Sequence, residues 1–358
     1  MEAKVLFIGA AGNIGASVLA AVLTTHPDLP IDALVRSETD VQHLKDAHGT
    51  SVTTTVGSLA DPDLLETKAA SATIVIYCAP DAFQTPAITA LLTALAKSSS
   101  PTTPKFYIHT SGAARIWDPP NGSTPGSRIW DDTIDLASMP SSPTTPHAAT
   151  DALVASVPNP NVHTAIVSPS FVVGRSPSKT HAPPTIFPYL LGATQRAGGP
   201  FVIDQGKNIT GFIDNGELAR IYVALVGDTL GVLAGERAVR PEVWGPEGYF
   251  FASGLEVEWR EFVEEYLVPA LRRCGGGVLV PEGKGTREME MGEVVQMMRG
   301  MIGEGEIANV WSDHIADGFG TAMRVRSTRV ERELGVKVGE GLGGLDDAVR
   351  VTLRAMGL

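Results

Sequence analysis

The stretch Lys4-Val5-Leu6-Phe7-Ile8-Gly9-Ala10-Ala11-Gly12-Asn13-Ile14-Gly15 decides the reading of this chain. Five residues that are apolar after the first lysine predict a buried strand. Residues 13–23 then carry a helical pattern, so the glycines fall on a strand-to-helix turn. The pyrophosphate of a dinucleotide needs free backbone N–H groups and the positive end of a helix. A side chain at the crossing point would block its approach. Gly9 permits the tight turn, Gly12 the approach of phosphate, and Gly15 close helix–strand packing. A glycine triplet alone is a weak signal. Its position between a strand and a helix makes it specific, and Asn13 and Ile14 share the turn.

The pattern repeats outward from that turn. Residues 32–35, 51–56, 73–78 and 105–109 read as further strands. Between them, Ser37 with Asp40 three residues on, Asp61-Pro62 and Thr85-Pro86 mark helix starts. Strict alternation predicts an α/β fold, a doubly wound parallel sheet with helices on both faces. Residues 117–146, rich in Pro, Ser, Thr and Gly, read as a long loop over the site. Thr145-Pro146 then opens a helix, and residues 163–168 form a sixth strand. Beyond Gly174 the alternation weakens. Residues 185–196, 215–226, 258–273 and 344–356 look helical, 249–252 read as a short strand, and 282–305 as a mobile segment. The expected organisation is a dinucleotide-binding domain over 1–175 and a smaller substrate-binding lobe over 176–358, with a short return to the first domain near 205–230.

The end of the second strand addresses which dinucleotide is bound. An acid there would hold the adenosine ribose 2′-hydroxyl of NAD. Here the strand ends Ala33-Leu34-Val35-Arg36-Ser37. A guanidinium at Arg36 suits a 2′-phosphate and Ser37 adds a hydroxyl, which together predict NADP(H). Asp32 stands at the wrong end of the strand.

Composition sets the limits. Across 358 residues the net charge is −12, which disfavours nucleic acid or an anionic membrane as main partner. Two distant cysteines, Cys78 and Cys274, build neither a zinc site nor a disulfide framework, and no metal site is expected. No secretory leader and no run of 18 apolar residues is found. The expectation is a soluble cytoplasmic protein, monomeric or homodimeric, that acts on a small molecule.

Taken together, these residues resemble the short-chain dehydrogenase/reductase superfamily in its extended and atypical branches, epimerase-like and NmrA-like, and among them a group of fungal NAD(P)-binding proteins. The G-x-x-G-x-x-G spacing carries the resemblance, and other segments extend it over most of the chain. Leu59, in Gly57-Ser58-Leu59-Ala60-Asp61, resembles the segment that borders the adenine. Cys78 and Ala79 resemble the segment beneath the adenosine ribose. Ser111, at the end of the fifth strand, resembles the residue that touches substrate. Pro169, Ser170 and Phe171 resemble the segment beside the nicotinamide. Phe212-Ile213-Asp214-Asn215-Gly216-Glu217-Leu218-Ala219 resembles the epimerase-like helix start.

The superfamily's catalytic pair, Tyr-x-x-x-Lys on the helix before the sixth strand, is missing. That helix reads Pro146-His147-Ala148-Ala149-Thr150-Asp151, so the spacing survives with His147 and Asp151. Residues four apart share one helix face, so both can face the cofactor. Histidine can donate or accept a proton near neutral pH, and Asp151 can orient it or bind ribose hydroxyls. The bland alternative is an acid near a helix start beside a surface histidine. His109 reads as a satisfied strand-end histidine, and Trp117, Trp130, Asp131 and Asp132 as loop residues beside the site. Three functions follow: an NADP(H)-dependent oxidoreductase on a small carbonyl or alcohol, a non-redox isomerase, dehydratase or cyclase using His147 and Asp151, and a non-catalytic NADP(H) sensor of the NmrA-like kind.

Overall fold

A computed structural model describes residues 3–81, 84–142, 145–303, 305–339 and 341–358. Its centre is a seven-stranded, wholly parallel sheet. The strands are β1 (Val5–Ile8), β2 (Ile31–Val35), β3 (Val52–Val56), β4 (Ile74–Tyr77), β5 (Lys105–Thr110), β7 (Val162–Pro169) and β11 (Tyr249–Ala252), with the two-residue β6 (Trp130–Asp131) outside the sheet. Their spatial order is β3-β2-β1-β4-β5-β7-β11. The chain winds from β1 through β2 to β3, then crosses back to β4 on the other flank of β1. Phe7 accordingly pairs with Ala33 on one side and Ile76 on the other. The crevice at this reversal, outside the carboxyl ends of β1 and β4, is where open α/β sheets bind ligands.

Both sheet faces are covered, so β1 is apolar at every position. Val5 and Phe7 pack with Val18, Leu19 and Val22 of α1 (Asn13–Thr25) and with Ile221 and Leu225 of α7 (Asn215–Leu233). Leu6 and Ile8 pack on the opposite face. Their partners are Leu65 of α3 (Pro62–Ser71), Leu91 and Leu95 of α4 (Thr85–Ser98), and Val154 of α5 (Ala148–Ala155). The expected start signals act as caps: Ser37 accepts from the Asp40 N–H at the head of α2 (Glu38–His48), and Asp61 from the Leu64 N–H.

A second core surrounds Trp259, Phe212, Phe262 and Phe319. It is built from β8 (Phe171–Val173), β9 (Phe201–Ile203), β10 (Ile209–Asp214), β12 (Leu255–Glu258) and β13 (Arg287–Met289), with α6 (Phe187–Ala197) and the helices Met291–Ile302, Glu306–Gly320 and Leu345–Ala355. Residues 282–305 read as mobile from their glycine-rich texture. Their described part instead forms β13 and a helix whose Val294 and Met298 are fully buried.

The 117–146 stretch is tied down rather than free over its described residues. The Asp118 and Asn121 N–H groups donate to the carbonyls of Ala322 and Gly320, and β6 pairs with β14 (Val325–Arg326). Asp132 is fully buried and accepts from the N–H groups of Phe251 and Arg329, while burial pushes its carboxyl up to about 7. A proline- and serine-rich texture marks irregular backbone, but it does not report such long-range hydrogen bonds. Pro143 and Thr144, like Glu304 of the 282–305 stretch, lie outside the described residues.

Candidate functional site

The glycine turn sits at the reversal point. Gly9 has φ +88°, and a Cβ there would fall 2.6 Å from the Cys78 carbonyl carbon and the Ala79 nitrogen. A Cβ at Gly15 would fall 2.0 Å from the Gly9 oxygen, so the turn closes only with glycine at both places. Gly12 caps α1 with extended backbone and no side-chain cap. The N–H groups of Asn13, Ile14 and Gly15 find no acceptor among the described residues, which leaves the positive helix end open to an anion. The Asn13 side chain is engaged elsewhere. Its Nδ2 reaches the carbonyls of His181, Ala182 and Pro183 at 3.1–3.2 Å, and Ser178 Oγ donates to the Ala11 carbonyl at 2.6 Å. Residues 178–183 are thereby strapped beside the turn.

Arg36 is exposed directly after β2 and has no ion-pair partner among the described residues. Ser37 is committed to capping and bonds Asp40. Asp32 is buried and committed to Lys68 at 2.8 Å and Thr55 at 3.0 Å. Leu59, Cys78 and Ala79 are half-buried at the strand ends. Pro169 and Ser170 are buried beside β11, with Ser170 Oγ on the Ala252 carbonyl at 3.2 Å, whereas Phe171 stays half-exposed. Asp214 caps α7 through the Gly216 N–H. These groups fit a dinucleotide: an uncapped helix end, a side-chain-free crossing point and an uncommitted guanidinium.

The presumed shared helix face of His147 and Asp151 does not form. α5 begins at Ala148, and His147 is its N-cap in left-handed backbone, φ 62°. Histidine tolerates this region better than most residues, but it is strained there. The turn carries the imidazole to a carboxylate on another strand end. Nδ1 lies 2.8 and 2.9 Å from the two oxygens of Asp81, which follows β4. Thr150 Oγ1 also donates to Asp81, at 2.7 Å. Nε2 makes no hydrogen bond among the described residues and lies where a Cβ at Gly112 would be 2.6 Å away, beside Ser111. Burial pulls the His147 proton affinity down, and the Asp81 hydrogen bond with the charges of Asp81 and Asp151 reverses this, for a net rise. Burial raises the Asp81 carboxyl, but the imidazoles of His109 and His147 beside it hold it well below the usual carboxylate range.

Asp151 points into the protein. Its carboxylate takes Arg115 at 2.7 Å and the Tyr249 hydroxyl at 3.1 Å, and it is fully buried. It therefore cannot orient His147, which Asp81 does instead. Ser111 is buried at the end of β5 with no hydrogen-bond partner for its Oγ. His109, expected to be satisfied, is fully buried; its Nδ1 pairs with the Tyr107 hydroxyl at 3.5 Å, and its Nε2, 3.6 Å from Asp81, has no hydrogen-bond partner among the described residues. Asp81, His109 and Asp151 bring one ligand atom each within 4.8 Å, a spacing a metal ion could use. Arg115 and His147 already offset both carboxylates, which disfavours a cation there. Asp81 carried no sequence signal beyond a Pro-Asp turn after β4.

Residues 1–103 match the model of the NmrA-like family. A fungal relative, oxidase ucsJ of Acremonium sp., is 27% identical over 282 residues, covering 73% of this chain and 77% of its own length. Among solved structures, a double mutant of the dTDP-glucose 4,6-dehydratase DesIV from Streptomyces venezuelae, with NAD and DAU bound, superposes with a TM-score of 0.64 at 15% identity. The match covers 98% of this chain and 96% of that one. Yeast methylglyoxal/isovaleraldehyde reductase Gre2, complexed with NADPH, gives 0.60 at 15% identity over 99% and 100%. The chain thus has the Rossmann-type fold of these solved structures, with added C-terminal elements. No helix among the described residues is long and apolar enough to cross a membrane.

Proposed function

We propose that this protein is an NADP(H)-dependent oxidoreductase for a small organic carbonyl or alcohol, with His147 in the place of the missing tyrosine. The observation that carries the reading is the His147–Asp81 pair at 2.8 Å, aimed beside Ser111. The N–H groups at the head of α1 would hold the pyrophosphate and Arg36 the 2′-phosphate. The bound dinucleotide would supply or accept a hydride. In the reducing direction Ser111 Oγ donates a hydrogen bond to the carbonyl oxygen, and protonated His147 gives that oxygen its Nε2 proton. Asp81 keeps the Nδ1 proton in place and stabilises the imidazolium, so the ring holds its proton more firmly than a free imidazole.

The test is a panel of aldehydes and ketones followed by NADPH absorbance. His147→Ala is expected to cut turnover about 100-fold, within the usual contribution of a positioned acid, with NADPH affinity unchanged. Unchanged turnover in that variant would remove His147 from the reaction.

Asp151 favours a second reading. In its relatives' pattern a lysine there would bind the nicotinamide ribose, and here a buried, already bonded carboxylate takes its position. Without that lysine, His147 could serve acid–base isomerisation or dehydration. Product formation without NADPH consumption would select this reading over the first.

A further inference from the structure

We propose that His109 is a positioning residue for His147: it shares the Asp81 carboxylate with His147 and so sets how firmly His147 holds its proton. This rests on the acid–base reading of His147 and deepens it. Strand geometry places the ring. Tyr107 and His109 are two apart on β5 and share one sheet face, and Tyr77 of β4 stands beside His109 in register. The His109 ring packs against Tyr77 and Tyr107 with centroids 5.4 and 5.9 Å away and planes 29° and 19° apart. It is fully buried.

Each ring nitrogen faces a partner of fixed chemistry. Nδ1 lies 3.5 Å from the Tyr107 hydroxyl, whose O–H can donate to it. Nε2 lies 3.6 Å from an Asp81 oxygen, and an ionised carboxylate only accepts. The proton therefore belongs on Nε2. The contact is longer than a hydrogen bond, but a buried carboxylate feels an N–H at that distance because little water intervenes. The same carboxylate takes His147 Nδ1 at 2.8 and 2.9 Å and Thr150 Oγ1 at 2.7 Å. Asp81 is 3% exposed, so protein groups rather than water divide its charge. What His109 draws of that charge is withheld from His147.

The other groups around the pair are accounted for. Asp151 of α5 brings a carboxylate oxygen within 4.8 Å of a His109 ring nitrogen and of an Asp81 oxygen, and Arg115 offsets it at 2.7 Å. Tyr249 of β11 donates to Asp151 at 3.1 Å, and Tyr77 of β4 donates to the Pro80 carbonyl at 3.1 Å. Burial pushes both phenols up, so they carry no charge. On the Glu306–Gly320 helix, burial and the His147 charge push His314 down to about 4, so it is uncharged at neutral pH. Removing His109 would leave two carboxylates with one N–H fewer beside them, and their negative potential would fall more heavily on His147. Loss of His109 should therefore raise the proton affinity of His147, the opposite of neutralising Asp81.

The experiment is an NMR pH titration of the full-length protein carrying isotope-labelled histidine, with His109→Phe and His147→Ala identifying the two rings. In the native chain, His109 Nε2 should carry a proton at neutral pH. His109→Phe keeps a ring against Tyr77 and Tyr107 but has no N–H. It should raise the His147 titration by about half a pH unit to one pH unit, below the roughly 1–3 units that a full opposite charge gives. His109→Gln, whose amide N–H can still face Asp81, should return His147 to near its native titration. A role as core filler predicts the same His147 titration in all three chains. The native spectrum decides the place of the proton whether or not His109→Phe folds. In NADPH turnover, the alkaline limb of the pH–rate profile should rise with the titration. A raised titration with an unmoved limb counts against the acid–base reading and supports the sharing of Asp81. An unprotonated His109 Nε2, an unmoved or lowered His147 titration in His109→Phe, or no return with His109→Gln would overturn the proposal.

Discussion

Asp81→Asn removes the charge that holds His147 and little else. The side chain is buried, and its replacement has the same shape and keeps one oxygen for the Thr150 hydroxyl or the His147 Nδ1–H. The amide cannot serve both as the carboxylate does, and it offers no charge to the imidazolium. A hydrogen bond to a charged group is worth about 1.5–3 kcal/mol net, so the loss is about 2 kcal/mol where His147 is charged. The sign with pH follows from two shifts. His147 is raised above 6.5, so its share is complete below that value and lost as pH rises through the folded-state value. Asp81 is depressed below 3.8, so its share is present above that value and lost only as pH falls through the lower folded-state value. The stability deficit of the variant is therefore largest between 3.8 and 6.5 and shrinks in alkali. Urea melts at about pH 5.5 and about pH 8.5 measure it. Turnover should fall about 100-fold at neutral pH, the range of a disabled general acid, and the alkaline limb of the pH–rate profile should move to lower pH. An equal stability deficit at both pH values, or an unmoved alkaline limb, would refute the pairing as the source of His147's proton affinity.

Three further perturbations have defined outcomes. Gly9→Ala forces a Cβ to 2.6 Å from backbone at φ +88°, so NADPH binding should be lost and the melting temperature should drop, checked by thermal shift with and without cofactor. Arg36→Glu should weaken NADP⁺ by about tenfold or more, as loss of one bidentate phosphate contact implies, and leave NAD⁺ unchanged, read by fluorescence titration. Asp151→Ala strands the Arg115 guanidinium and the buried Tyr249 hydroxyl, and it should cost about 3–5 kcal/mol in urea unfolding, the usual penalty for breaking a buried pair from one side.

The sheet was legible because its signals are local. β1, β2, β4 and β5 each carry apolar stretches and β3 a β-branched Val-Thr-Thr-Thr-Val, and the helices between them begin at Ser37, Asp61 and Thr85, where side chain and backbone chemistry act over three or four residues. Tyr249–Ala252 was legible as a strand, though its place beside β7 depends on contacts across some 80 residues. The Glu306–Gly320 helix went unread because the glycine-rich stretch before it hides its start. The same limit applies to the site. The glycine turn and Arg36 are adjacent to the strands that place them. Asp81 meets His147 across 66 residues, and no spacing rule connects them.

Four-residue spacing puts His147 and Asp151 on one helix face. That holds only if both residues are helical, and His147 is not. Its left-handed backbone keeps it outside the helix, which starts one residue later, and points the ring at Asp81, while Asp151, inside the first turn, faces the interior. The substitution of Tyr and Lys by His and Asp is therefore not a like-for-like exchange. It comes with two ion pairs, His147 with Asp81 and Arg115 with Asp151, that leave the buried cluster near neutral. A lysine at 151 would face Arg115 with no acid between them, and a tyrosine at 147 would be favoured in its neutral form by the Asp81 charge, the reverse of what a lysine-assisted tyrosine requires. Restoring the family pair at these two positions alone should thus not restore the family's chemistry, because the charges that would make it work have been built for a histidine.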